Sequence, residues 1–173
     1  MADMIVYCTQ LNGRGGSEAV YALLEHAFKK EYRADLPEIK KTSRGKPYFP
    51  GMPDIHFSLS HTKTHVLCVI SDCPVGCDIE SPREISERAL GFFCSAEELS
   101  LFDPLDLWVL KESYIKLFGQ TIAALRGLRF SRDGGRIIVP DTSVAARLYS
   151  VGGCRAAVCC QGNIPVESIQ LIT

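Results

Sequence analysis

The chain has 173 residues, 46% of them hydrophobic and 23% charged, which is the composition of an ordinary globular protein. That length supports one compact domain with a sizeable core, or two small fused halves. Nineteen basic and twenty acidic residues leave a net charge of −1, so no global field argues for nucleic acid or an anionic membrane as partner.

In chain order, MADMIVYCTQ lacks the basic and long apolar regions of a secretory signal. No later stretch approaches the roughly 20 apolar residues of a membrane span. A cytoplasmic location is expected, with the eight cysteines (8, 68, 73, 77, 94, 154, 159 and 160) as reduced thiols. MIVYCTQ reads as a first strand. Ser17 is a candidate cap for a helix whose apolar stripe is Val20, Leu23, Leu24, Ala27 and Phe28. LPEIKKT reads as a short strand and TSRGKPYFPGMPD as a Gly/Pro loop. IHFSLS alternates, setting His56, Ser58 and Ser60 on one side and Ile55, Phe57 and Leu59 on the other. HVLCVIS follows the polar HTKT, which predicts a hairpin. VGCDIES is a further strand, ended by Pro82. Helical patterns fill 83–91, 95–102 and 105–118, with Ser95 as a cap. LRFSR, RIIVP, ARLYS, CRAAVCCQ and VESIQLI return to β, with RDGGR as a hairpin turn.

Strand, helix and strands, then helices and strands again, predict an α+β protein with antiparallel sheets. The order suggests two similar units, residues 1–73 and 74–173.

Three stretches carry candidate chemistry. On the strand VGCDIE, Asp78 and Glu80 are two apart and share a face, while Cys77 and Ile79 turn to the core. Two adjacent anions repel unless a cation joins them, and oxygen ligands suit Mg²⁺ or Ca²⁺; alone, the pair also reads as solvated carboxylates at a strand end. In WVLKESYIKLFG, Trp108, Lys111, Glu112, Ile115, Lys116 and Gly119 recur on one helical face, opposite Val109, Leu110, Tyr114, Leu117 and Phe118. That mixed face reads as a cleft wall or, equally, as a Glu112–Lys116 helix pair. His61 ends a strand beside a turn, and Lys46 lies in the loop sequence GKP. Together, Asp78, Glu80 and Glu112 could hold a divalent ion, and Lys46, His61, Lys111 and Lys116 could hold phosphate oxygens. Such a clamp suits phosphoryl-type transfer. A competing reading, zinc on Cys68, Cys73 and Cys77, lacks the paired short spacing of structural sites.

GKP at 45–47, FSLSHT at 57–62, VGCDIE at 75–80, FFCSAEE at 92–98 and WVLKESYIKLFG at 108–119 resemble, in order and spacing, the Sfp-type 4′-phosphopantetheinyl transferases. The resemblance implies a fold of two similar α+β halves packed as a pseudo-dimer, which favours a monomer, with coenzyme A in the cleft between them. It implies a holo-[acyl-carrier-protein] synthase activity. The phosphopantetheine arm of coenzyme A passes to a serine of an acyl or peptidyl carrier protein, and 3′,5′-ADP leaves. It assigns Asp78, Glu80 and Glu112 to Mg²⁺, with Mn²⁺ left open, and makes Glu112 the candidate base. Glu97 and a metal-bound water stay as alternatives. Lys116 is assigned to the leaving phosphate. Lys46, Pro47, Ser60, His61 and Lys111 are assigned to coenzyme A, and Trp108 to anchoring the helix. The chain is shorter before SHT than typical members, so the basic residues for the 3′-phosphate have no motif; Arg33, Lys40, Lys41 and Arg44 are candidates. After Lys116 the family often continues G-x-G, where this chain has Gly119-Gln120-Thr121. A paralogue that binds coenzyme A or carrier without efficient transfer is the alternative function.

Overall fold

Strand β1 (Met4–Gln10) runs into helix α1 (Gly16–Tyr32), whose buried residues Ala19, Val20, Leu23, Leu24, Ala27 and Phe28 lie along one face. The description comes from a computed structural model and covers residues 4–11, 13, 15–162 and 165–172. Helix α1 starts one residue before the expected cap: Gly15 occupies the cap position without a side-chain bond, and Ser17 lies inside the first turn. Its last turn is closed by Arg33 in the left-handed conformation (φ 52°), its N–H donating to the Lys29 carbonyl.

Of the expected strand at 36–42, only β2 (Lys40–Lys41) forms, paired with β3 (Pro47–Tyr48) across the loop that carries Lys46. The predicted hairpin is present as β4 (His56–His61) and β5 (His65–Ser71). Every residue of β5 is buried because both of its faces are covered, which explains its unbroken apolar run.

Strand β6 (Val75–Glu80) leads to helices α2 (Glu87–Phe93), α3 (Ala96–Leu101) and α4 (Pro104–Phe118). Helix α2 begins four residues later than the pattern suggests, where Ser86 caps it by accepting from the Ala89 N–H. Ser95 and Glu98 form a reciprocal capping box at α3. Asp103 caps α4 ahead of Pro104, and Gly119 (φ 61°) ends it in the left-handed conformation. A 3₁₀ helix over Ile122–Gly127, which the sequence pattern does not announce, follows. The RDGGR turn joins β7 (Ser131–Asp133) to β8 (Arg136–Ile138), and the chain ends with β9 (Val144–Val151), β10 (Cys154–Gln161) and β11 (Gln170–Ile172).

Two main sheets result, ordered β11-β1-β5-β4 and β6-β10-β9. In each half the first strand pairs antiparallel with the last, which is central and pairs antiparallel with the third. The halves therefore repeat one strand–helix–strand–strand plan, with α1 and α4 in equivalent places. Three apolar layers hold the stack. One lies between α1 and the first sheet, around Phe28, Phe49 and Phe57. One lies between the sheets, around Val6, Val69, Cys77 and Val158. One lies between the second sheet and α4, around Leu107, Leu110 and Leu117. The division at 73/74 needs one correction: β11, at the end of the second unit, pairs parallel with β1 and belongs to the first sheet. No helix among the described residues is long and apolar enough to cross a membrane.

Candidate active site

The two halves meet where β4 faces β6, and serine side chains make the join. Ser58 Oγ accepts from the Cys77 N–H (2.9 Å), and Ser60 Oγ accepts from the Ile79 N–H (3.3 Å). The outer edge of β6 is thus satisfied without a continuous ladder. The residues of β6 divide as the period-two reading predicts: Val75, Cys77 and Ile79 enter the layer between the sheets. Gly76 sits on the other side, directly under α4. A Cβ there would strike the Ser113 carbonyl and the Leu117 amide and Cα. Glycine at 76 lets α4 lie against β6, and that contact brings Glu112 and Lys116 to Asp78.

Asp78, Glu80, Glu112, Lys116, Ser60, His61 and Trp108 line one cavity of about 390 Å³. The Lys116 ammonium donates to Asp78 Oδ1 (2.6 Å) and Ser60 Oγ (3.0 Å), and the Ser60 hydroxyl donates to the same Asp78 oxygen (2.7 Å). Burial opposes the charge on Lys116, but Asp78, with smaller contributions from Cys77 and Glu112, raises its pKa above the ordinary lysine value. Glu80 pairs with Arg83 (3.1 Å), whose guanidinium also lies 5.4 Å from the Trp108 ring centre. Burial, then the charges of Asp78 and Glu80, push the Glu112 carboxyl up, against the pull of Lys116.

A second cavity of about 370 Å³ adjoins the first along β4, sharing Leu59 and Lys116. Lys41, Arg44, Lys46, Pro47, Tyr21 and Gln120 are among its walls. Of the four basic candidates without a motif, Lys41 and Arg44 reach the cleft. Lys40 instead pairs with Glu38 (3.5 Å), and Arg33 closes α1. Lys46 lines this cavity with its stem, but its ammonium is already held by the carbonyls of Val75 (3.2 Å) and Leu117 (2.5 Å). Burial lowers its pKa to about 8. Lys46 therefore ties the loop of the first half to β6 and α4 of the second.

Lys111 is the residue the structure does not bring to the cleft. It is fully buried on the far side of α4, paired with Glu98 (2.8 Å) and donating to the carbonyls of Phe93 (2.5 Å) and Leu128 (3.0 Å). Glu98 also accepts from the backbone N–H groups of Ser95 and Phe130. The helical-face argument failed because α4 is covered nearly all round: ten of its fifteen residues are buried, Lys111 and Ile115 among them. The signal that would have found the partner is the S-x-x-E box at Ser95–Glu98. Glu97, the alternative base, is exposed on α3 and lines neither part of the cleft. His61 is exposed at the rim, against the start of α1. A side chain at Gly16 would collide with its ring, so the glycine run before α1 makes room for the imidazole.

Among the described residues, no group of three His, Cys, Asp or Glu stands together as a ready metal site. Lys116 and Arg83 engage two of the three carboxylates instead. The donor chemistry nevertheless fits a divalent ion. Three carboxylates line one cavity, and the shift on Glu112 records negative charge that the nearby cations do not fully balance.

A seam between two α+β halves, lined by clustered carboxylates and lysines, defines an enzyme for a multiply anionic substrate. The sequence model of the 4′-phosphopantetheinyl transferase superfamily matches residues 74–150. The chain is 32% identical over 170 residues to 4′-phosphopantetheinyl transferase Sfp of Bacillus subtilis (strain 168), covering 87% of this chain and 76% of that protein. It is 30% identical over 172 residues to 4′-phosphopantetheinyl transferase psf-1 of Bacillus pumilus, covering 87% and 73%. A shorter match, 38% over 91 residues, is to 4′-phosphopantetheinyl transferase gsp of Aneurinibacillus migulanus, covering 47% and 38%. The chain belongs to the 4′-phosphopantetheinyl transferase family, and it is a transferase.

Proposed function

We propose that the protein transfers the 4′-phosphopantetheine arm of coenzyme A to a serine of an acyl or peptidyl carrier protein, releasing 3′,5′-ADP in a Mg²⁺-dependent reaction. The observation that carries this reading is the cleft at the β4–β6 seam, where Glu112, Asp78, Glu80 and Lys116 converge beside a basic second cavity. The carrier serine oxygen attacks the pyrophosphate phosphorus that bears the pantetheine arm, and the bond from that phosphorus to the 3′,5′-ADP oxygen breaks. The serine proton goes to a base.

Glu112 suits that role because burial and its two acidic neighbours raise its proton affinity above that of an ordinary glutamate. Lys116, whose pKa is raised, stays protonated at neutral pH. It acts as a fixed positive charge at the transferring and leaving oxygens, a role that needs it to exchange Asp78 for substrate. Ser60 orients Asp78, and His61 stands at the rim beside the second cavity. Lys41 and Arg44 supply the positive charge for the nucleotide phosphates, and Pro47 shapes the wall. Asp78, Glu80 and Glu112 would hold Mg²⁺, which supplies charge neutralisation for the pyrophosphate oxygens.

The test is intact-mass spectrometry of an apo carrier protein incubated with this protein, coenzyme A and Mg²⁺. A gain of about 340 Da, estimated from the atoms of the transferred group, is expected, and EDTA should abolish it. An unchanged carrier mass while coenzyme A binds would point to the non-catalytic paralogue. Transfer undiminished by EDTA would remove the metal from the account.

A further inference from the structure

A cavity of about 570 Å³, larger than either part of the cleft, opens between the β7–β8 hairpin, β9 and the start of α4. No residue of its lining also lines the cleft. Four arginines converge there: Arg132 and Arg136 from the hairpin, Arg147 from β9 and Arg155 from β10. Asp106 is the one carboxylate in the wall. Four guanidiniums against one carboxylate leave the wall with three excess positive charges, in a chain whose net charge is −1.

The arginines are partly preorganised. Arg155 is clamped to Asp106 through two bonds (2.5 and 2.8 Å). Arg132 lies 4.6 Å from the Phe102 ring centre. Arg147 has only the exposed Glu167 at 4.0 Å, and among the described residues no ion pair involves Arg132 or Arg136. Clustered guanidiniums repel one another, and exposed arginines on a hairpin are not required by packing. Their planar forks match phosphate oxygens in pairs, and the volume lies within the range of about 300–1,000 Å³ of small-ligand sites.

We propose that this cavity is a second anion site, separate from the cleft, for a compact oligophosphate carrying about three negative charges. Tripolyphosphate is the probe, by isothermal titration calorimetry at low salt. Arg132→Gln/Arg136→Gln removes two exposed side chains and should leave the thermal melt unchanged. It should weaken tripolyphosphate binding about tenfold or more, the loss of two charge-assisted contacts. Lys41→Gln/Arg44→Gln, on the cleft, should leave that binding within about twofold. The proposal is overturned if wild-type protein gives no heat at millimolar probe, or if the cleft variant loses the binding while the hairpin variant keeps it. Citrate binding as tightly as tripolyphosphate would overturn the phosphate assignment.

Discussion

Helices α1 and α4 hold equivalent places in the two halves, and they differ in what they bury. Helix α1 buries six of seventeen residues, all apolar, against one sheet. Helix α4 buries ten of fifteen, including Asp106, Lys111 and Ser113, because the second sheet lies under it and α2, the 3₁₀ helix and the loop to β7 close over it. A helix covered on one side needs only an apolar stripe. A helix covered almost all round can carry charges only where each is paired or where a cleft admits solvent and substrate. Two charged residues of α4 accordingly have built partners, Asp106 with Arg155 and Lys111 with Glu98. Two others, Glu112 and Lys116, open onto the seam.

The largest effect expected from this contrast is on stability. Glu98→Ala leaves Lys111 buried without its partner and should cost about 3–5 kcal/mol by denaturant unfolding, with turnover per folded molecule retained. Glu112→Gln should do the opposite, lowering turnover about 10²–10³-fold without loss of fold, as expected for a group that acts on charge in the transition state. Gly76→Ala should break the contact between α4 and β6. The added methyl has only backbone to meet, so a loss of about 1–3 kcal/mol is expected, together with lowered turnover as Glu112 and Lys116 move away from Asp78.

The smallest effect is on pH dependence. Folded Glu112 keeps its proton to higher pH than it does in the unfolded chain. Between those two values the folded state binds more protons, so this group makes stability fall as pH rises. Without metal, Glu112→Gln should therefore melt higher than wild type at neutral pH and lose that advantage below the ordinary glutamate range. A variant that melts lower at both pH values would contradict the strained carboxylate.

The sequence carried the repeated plan, the β4–β5 hairpin, the RDGGR turn and the shared face of Asp78 and Glu80, because each rests on local period or turn chemistry. Lys111 was misplaced for a physical reason. The spacing of Trp108, Lys111, Glu112 and Lys116 describes a helix surface, but not what covers it. The cover comes from residues far along the chain, Phe93, Glu98, Leu128 and Phe130. The same limit applies to Lys46, whose carbonyl partners on Val75 and Leu117 come from the other half. The glycines were legible as glycines only. That Gly76 admits α4 and Gly16 admits His61 follows from contacts between elements.

The measurement that tests the division of labour on α4 most directly is a side-by-side assay of Lys111→Met and Lys116→Met, with turnover normalised to folded protein and stability measured by urea unfolding. The account predicts that Lys111→Met is destabilised with near-normal turnover, because its charge is structural. It predicts that Lys116→Met stays close to wild type in stability and loses about two orders of magnitude in turnover. Loss of turnover in a stable Lys111→Met, with Lys116→Met fully active, would contradict it.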